Sequence, residues 1–213
     1  MASSSAVTAT IVDVVIPTLK PIQTQAATIA AIEATAGIPV RVYATCQPVS
    51  ASKNRNLGLD QATGSYIVML DDDIEQFPQG WVKKLVDVLQ NHPNCAMVSP
   101  QLARPDGSPG FMMGGVTPQR SGLTAATERK LPTACVAIRR NGLRFDERFI
   151  GSGWEDDDYC AQLRAANPSA EFFVCHDVWV VHRNEMKNQR GPHWQHNKNL
   201  FQSKWHVMSD KHQ

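Results

Sequence analysis

The alternation of apolar runs with helix-like segments in the first 93 residues limits the fold of this chain more than any other feature. Short apolar runs are typical of buried strands, and the segments between them have the spacing of helices. Strands and helices in this order form a mainly parallel sheet with helices on both faces. The strand-like runs are residues 12–17, 39–44 and 66–70, and the helix-like segments are residues 25–37, 52–61 and 81–93.

The second half of the chain continues this pattern less regularly. Residues 104–118 are rich in Gly and Pro and predict a long loop or loose hairpin. A strand at 133–138, a turn at Asn141-Gly142 and a helix at 155–166 follow. With 213 residues, 42% of them hydrophobic and 19% charged, the chain has the composition of one large globular domain. We therefore predict a single α/β domain.

Charge and cysteine content exclude several classes of protein. The net charge of +1 gives no overall attraction to nucleic acid or to an anionic membrane, although residues 183–211 are locally basic. No signal peptide and no run of about 18 apolar residues is present. Five widely spaced cysteines without a CxxC pair argue against a disulfide framework or a zinc knuckle. The sequence thus predicts a soluble, cytoplasmic protein with free thiols and no stable membrane insertion.

Three consecutive aspartates, Asp71 to Asp73, follow the apolar run 66–70 at its carboxyl end, where α/β sheets bind ligands. One interpretation is a solvated turn that caps the next helix, since Asp is common at turns and N-caps. The other is a metal site, because adjacent carboxylates repel each other and a divalent cation would relieve that repulsion. Carboxylate oxygens suit Mg²⁺ or Mn²⁺, and substrate phosphates often complete the shell of such ions.

A second acidic cluster begins the helix predicted at 155–166. The helix macrodipole favours acidic residues in a first turn by about 0.3–1 kcal/mol each, but four exceed what capping needs. Helical spacing places Glu155 and Asp158 on one face and turns the two aspartates between them away. The glycines Gly151 and Gly153 would let the backbone and Trp154 approach a ligand. The acidic residues are Glu155, Asp156, Asp157 and Asp158.

These motifs, in this order, resemble glycosyltransferase family 2, whose members are inverting enzymes with the GT-A fold. Residues 50–73 contain its Arg-Asn-x-Gly helix, Ala-x-Gly turn and Asp-x-Asp motif. Residues 145–156 resemble its Phe-Asp-Glu-Arg segment and the Glu-Asp motif that follows. Further similar segments are "VVIPT" (14–18) for the first strand, "VWVVHRN" (178–184) for the last strand with His182, and "NLFQSKW" (199–205) for the closing signature.

The resemblance implies a role for each acidic cluster in transfer of a sugar from a nucleotide diphosphate donor to an acceptor hydroxyl. Asp73, His182 and Asp71 would bind Mn²⁺ or Mg²⁺, and Asp71 would contact the donor ribose or a metal-bound water. Asp156 would deprotonate the acceptor, with Glu155 as the alternative base or as a residue that orients acceptor hydroxyls. The expected nucleotide-sugar residues are Pro17, Thr18, Arg55, Asp71, Asp72 and Lys204, and the expected acceptor residues are Trp154 and Asp157.

The resemblance also divides the chain into a flexible segment at 1–10 and a GT-A domain at 11–213. Residues 11–100 would bind the nucleotide sugar, residues 101–182 would bind the acceptor, and residues 183–213 would form a basic tail. The aromatic residues of that tail would either fold over the donor as a lid or pack as a helix, and we favour packing.

The donor and acceptor are less defined than the class of reaction. Many family members have an acidic residue in the loop after the second strand, but residues 44–50, "ATCQPVS", have none. A UDP-sugar is therefore only the default donor. The acceptor is left open, and nucleic acid is an acceptor that the basic tail allows but no motif supports. Two alternatives remain. One is a phosphoryl or nucleotidyl transferase with an acidic metal site, although this sequence has no Gly-rich phosphate-binding loop. The other is a non-catalytic nucleotide-sugar-binding relative.

Overall fold

A computed structural model describes residues 10–110, 113–183 and 193–206. The strands are β1 (Val12–Thr18), β2 (Val40–Cys46), β3 (Tyr66–Leu70), β4 (Ile74–Glu75), β5 (Cys95–Ala103), β6 (Leu123–Ala125), β7 (Cys135–Arg139) and β8 (Glu171–His182). The helices are α1 (Ala26–Thr35), α2 (Ala51–Gln61), α3 (Trp81–Asn91), α4 (Glu155–Ala166) and α5 (Trp194–Trp205), and a 3-10 turn at Ile22–Gln25 precedes α1.

The strands form one sheet in the order β2-β1-β3-β7-β5-β8-β4, and β6 pairs with β8. Strands β1, β2, β3, β5 and β8 run in one direction, whereas β7, β4 and β6 run against their neighbours. The predicted mostly parallel sheet is therefore confirmed. The antiparallel β7 joins β3 to β5 and makes the two halves of the chain one continuous sheet.

The helices cover both faces of this sheet. Helix α3 lies beside α1, because Gly80 N donates to Thr35 O at 2.7 Å. Helices α2 and α4 share the other face, where Arg55 contacts Glu155. Right-handed crossovers require α1 and α2 to lie on opposite faces, since β2 and β3 flank β1 on opposite sides.

Helix α2 begins and packs as its sequence predicts. Ser50 is its N-cap, and the Ser50 hydroxyl accepts a hydrogen bond from Lys53 N. Gly58 allows α2 to approach β1, because a Cβ atom at this position would lie 2.2 Å from Val15 Cγ1. A larger residue at 58 would push the helix, and Arg55 with it, away from the sheet.

Strand β5 is absent from the elements predicted from the sequence. Pro100 interrupts the apolar pattern of this strand, and a proline is tolerated within a sheet at an edge or a bulge. The structure has such an irregularity, because the register with β8 shifts between Pro100 and Gln101. The rest of β5 is buried apart from Ala96, so the strand extends the core between β7 and β8.

Short pairing between β4 and β8 positions the end of the last strand. Ile74 lies opposite His182, and Arg183 N donates to Asp73 O at 3.1 Å. The third aspartate of the triplet is thereby held beside His182.

Part of the expected N-terminal segment and of the C-terminal tail lies outside the described residues, namely 1–9, 184–192 and 207–213. Among the helices that the structure describes, none has the length and apolar character needed to cross a membrane.

Candidate active site

Three side chains from two parts of the chain meet beyond the carboxyl end of β3. One ligand atom each from Asp71, Asp73 and His182 lies within 4.8 Å of the others. His182 Nε2 is 3.2 Å from Asp73 Oδ1, and the backbone of Asp71 donates to Ala134 O at 2.7 Å. Two carboxylates and an imidazole form a suitable donor set for a divalent cation such as Mn²⁺ or Mg²⁺. The three residues expected to bind metal are therefore brought together.

A buried arginine joins this cluster to the acidic start of α4. Arg55 NH2 lies 2.8 Å from Asp71 Oδ1, and Arg55 NH1 lies 3.3 Å from Glu155 Oε1 and 3.8 Å from Asp156 Oδ1. The Arg55 side chain is 5% exposed, and the ring of Phe145 lies under its guanidinium. In the structure the Arg55 guanidinium is thus directed to carboxylates and supports the acidic cluster. A nucleotide contact by Arg55 stays a prediction.

The electrostatics of the cluster follow from burial and from like charges. Burial lowers the pKa of Arg55, but the charges of Asp71, Asp156 and Glu155 outweigh burial and raise that pKa above its ordinary value. Burial, followed by the charge of Asp156, raises the pKa of Glu155 to about 7. Burial also raises the pKa of Asp71, although Arg55 opposes it. The arginine thus holds together acids that would otherwise repel one another.

His182 is stabilised in its charged form by Asp73. Burial lowers the pKa of His182, but its hydrogen bond to Asp73 and the charges of Asp73 and Asp71 raise the pKa above its usual value. Only the neutral imidazole binds a metal, so cation binding at these residues would release a proton.

Helix α4 begins after a glycine turn. Gly151 and Gly153 have φ angles of 65° and 102°, which favour glycine. Trp154 is the N-cap of α4, and its ring packs against Trp194 and Phe201 of α5. The Trp154 indole nitrogen is buried without a hydrogen bond in the part of the chain that the structure describes. Packing of the aromatic side chains of α5 agrees with the helix interpretation of the tail.

Glu155 and Asp158 share one face of α4, as their helical spacing predicted. Glu155 and Asp158 are buried, whereas Asp156 and Asp157 are half-buried. Asp156 and Asp157 line a cleft of about 250 Å³, and Lys130 Nζ lies 3.0 Å from Asp157 Oδ1. The other lining residues are Met113, Gly114, Glu128, Lys130, Leu131 and Pro132.

Residues expected to contact the nucleotide lie at the end of β1. The Thr18 hydroxyl donates to Asp72 Oδ2, and Lys20 Nζ lies 3.8 Å from the same oxygen. Pro17 precedes Thr18 within β1 and is half-buried. The amide of Asn54 donates to Gln47 O at 2.9 Å and so ties the loop after β2 to α2.

Lys204 is directed to a different set of partners. Its ammonium lies 2.9 Å from Asp146 Oδ2 and 2.9 Å from Asp158 Oδ1, and the indole nitrogen of Trp205 also donates to Asp158. These contacts fasten α5 to α4 and to the segment that precedes α4. A nucleotide contact by Lys204 stays a prediction.

Three residues that support the site were not predicted from the sequence. Thr133 donates a hydrogen bond to Asp156 Oδ1, and Lys130 pairs with Asp157. Asn197, which is fully buried in α5, hydrogen-bonds Ile150 and Gly153 of the glycine turn. A polar residue directly before an apolar run was a usable signal for Thr133. The partners of Lys130 and Asn197 depend on the tertiary fold.

Comparison with known proteins identifies relatives of this chain. The family model described as "Glycosyl transferase family 2" matches residues 23–147. The succinoglycan biosynthesis protein ExoM of Rhizobium meliloti (strain 1021) is 27% identical over 146 residues, which are 65% of this chain and 46% of ExoM. The chain thus spans less than half the length of this curated relative.

Two solved structures share the fold at 14% identity each. GalNAc-T7, solved with UDP, GalNAc and Mn²⁺, has a TM-score of 0.61 over 92% of this chain and 48% of its own. TarS 1-349 of S. aureus has a TM-score of 0.53 over 81% of this chain and 60% of its own. The likenesses confirm the GT-A fold. Since the family match covers more than half of the sequence, the chain belongs to glycosyltransferase family 2.

Proposed function

We propose that the chain is a metal-dependent, inverting glycosyltransferase that moves a sugar from a nucleoside diphosphate donor to an acceptor hydroxyl. The observation that carries this proposal is the meeting of Asp71, Asp73 and His182 within 4.8 Å, joined through Arg55 to the carboxylates of α4. One end of the cluster suits a cation and the other end suits a base. Family membership supports the reaction class.

The donor would lie at the end of the acidic cluster that contains Asp71 and Asp73. Displacement of a nucleoside diphosphate leaves negative charge on the departing phosphates. A divalent cation held by Asp71, Asp73 and His182 would supply the positive charge that stabilises it. The Thr18 and Asp72 side chains, already in contact, would shape the adjoining nucleotide pocket. The presence of UDP and Mn²⁺ with GalNAc-T7 supports a UDP-sugar and Mn²⁺ as the first pair to test.

Asp156 is the preferred general base. A base has to reach the proton that it removes, and Asp156 lines the cleft beside α4. Glu155 is 4% exposed and its Oε1 faces Arg55, so it is less accessible to an acceptor. In the proposal Glu155 holds Arg55, the acceptor enters the cleft, and Trp154 and Asp157 contact it. Direct attack by the acceptor hydroxyl on the sugar carbon inverts that centre.

The decisive experiment measures nucleoside diphosphate release from a panel of nucleotide sugars with Mn²⁺, Mg²⁺ or EDTA. We expect release from one donor only when a divalent cation is present, and NMR of the product should show inverted anomeric configuration. An Asp87→Asn protein is a matched control, because Asp87 is an exposed carboxylate that pairs with Lys83 on α3. Equal release in EDTA would refute metal dependence. Tight nucleotide-sugar binding without any turnover would instead support a non-catalytic relative.

A further inference from the structure

The segment that leads into β7 contacts both ends of the site. Ala134 O accepts the backbone hydrogen bond of Asp71 at 2.7 Å, and the adjacent Thr133 donates its hydroxyl to Asp156 Oδ1. Thr133 is fully buried, whereas Asp156 is half-buried beside the cleft. Two consecutive residues therefore fix the position of the first aspartate after β3 relative to the carboxylate at the start of α4.

The two oxygens of Asp156 have different surroundings. Oδ1 accepts from Thr133, and Arg55 NH1 lies 3.8 Å from the same oxygen. Within residues 10–110, 113–183 and 193–206, no hydrogen bond is made to Oδ2. Because Asp156 also lines the cleft of about 250 Å³, the arrangement leaves Oδ2 to meet a molecule in that cleft.

Arg55 alone would not hold this orientation. Its guanidinium is already 2.8 Å from Asp71 and 3.3 Å from Glu155, and at 3.8 Å its contact with Asp156 is longer than a hydrogen bond. Without the Thr133 hydroxyl, the Asp156 side chain would be free to turn toward the guanidinium and to pair with it through both oxygens. Such a turn would withdraw Oδ2 from the cleft.

We infer that Thr133 is a positioning residue for proton removal: its hydroxyl holds Asp156 Oδ1 so that Oδ2 faces the acceptor. The inference rests on the proposed function, in which Asp156 is the base. Thr133 itself touches neither substrate nor metal in this scheme. Its effect is confined to the geometry of the attacking step, and misplacement of a reacting group by about 1 Å can cost about 10²-fold in rate.

The test compares Thr133→Val, which keeps the side-chain shape, with Thr133→Ser, which keeps the hydroxyl. With the nucleotide sugar that the wild type uses, Thr133→Val should lower kcat by about 10²-fold and leave the Kd for UDP with Mn²⁺ unchanged. Thr133→Ser should restore most of kcat. In an Asp156→Asn background, Thr133→Val should cause no further loss, because the group that it positions no longer acts as a base. Full activity of Thr133→Val, no rescue by serine, or additive losses would overturn the inference.

A structural measurement separates this inference from the proposed function. If the wild type releases nucleoside diphosphate from no donor, the proposed function has failed, and crystal structures of the wild type and of Thr133→Val decide the positioning role. An Asp156 side chain that turns toward Arg55 in the variant supports that role. An Asp156 side chain with an unchanged conformation contradicts it.

Discussion

Arg55 NH2 donates to Asp71 Oδ1 at 2.8 Å. This contact joins α2, on one face of the sheet, to the carboxyl end of β3. The other arm of the guanidinium reaches Glu155 at 3.3 Å. One positive charge thus sits among three carboxylates, that of Asp71 after β3 and those of Glu155 and Asp156 at the start of α4.

Removal of the arginine charge should destabilise the protein strongly. Arg55→Met leaves Asp71, Glu155 and Asp156 facing one another, and loss of one partner from a buried ion pair costs about 3–5 kcal/mol. Urea unfolding at pH 7 should show a loss of this size, and a smaller loss at pH 5, where more of the carboxyl groups are protonated. Arg144→Met is the control, because Arg144 pairs with Asp60 at the surface and such pairs contribute only about 0–1 kcal/mol. Equal effects of the two variants would show that Arg55 is not the organising charge.

Glu155 should make stability depend on pH near neutrality. Its pKa is raised from the ordinary 4.5 to about 7, first by burial, so the folded state binds the proton more tightly than the unfolded state. The stabilisation is complete below about pH 4.5 and is lost as the pH rises through about 7. The glutamine of Glu155→Gln is neutral at every pH, so this variant should not lose stability as the pH rises through about 7.

Urea unfolding between pH 5 and pH 8 checks this prediction. The stability of Glu155→Gln relative to wild type should rise with pH over that range. Glu171→Gln removes an exposed carboxylate of β8 and should run parallel to wild type. A constant difference between Glu155→Gln and wild type would mean that Glu155 is ionised in the folded protein throughout.

Nucleotide binding should need a divalent cation held through Asp73. Asp73→Asn removes the carboxylate charge beside His182, and calorimetry with UDP should then give nearly the same Kd with Mn²⁺ as with EDTA. The wild type and the Asp87→Asn control should bind UDP more tightly with Mn²⁺. Identical wild-type affinities in the two buffers would remove the metal assignment.

Loss of the base should affect turnover and spare binding. Asp156→Asn keeps the shape of the side chain and removes its basicity, so it should fold, bind nucleotide and metal almost as wild type, and lose transfer by roughly 10²–10⁴-fold. Steady-state kinetics with the accepted donor measure this loss. If Asp156→Asn turns over normally and Glu155→Gln is inactive, the base is Glu155.

The thiols should be chemically protected by burial. All five cysteines are free, and only Cys46 is not buried. Burial raises the pKa of Cys95 and of Cys160 to about 12, which disfavours the reactive thiolate. A thiol reagent should therefore label Cys46 in the native protein and all five cysteines in urea. Cys46→Ser should abolish native labelling, and reductant should not change the melting temperature. Rapid native labelling of Cys160 would contradict the packing of α4.

The sequence by itself determined the local elements and the chemistry at their ends. The apolar runs that became β1 and β3, the triplet Asp71 to Asp73 directly after β3, and the acidic first turn of α4 were all readable. Each depends on spacing within about ten residues, and hydrophobic periodicity and helix-end preferences act over that range. The shared face of Glu155 and Asp158 was predicted for the same reason, and the structure shows that this face is buried.

Only the tertiary structure decided which of these groups meet. The register between β4 and β8 pairs Ile74 with His182. This register places His182 beside Asp73. The insertion of β7 between β3 and β5 brings Thr133 to Asp156, and the docking of α5 directs Lys204 to Asp158. These pairs lie far apart along the chain, so strand order and register set their contacts, and local side-chain patterns do not encode them.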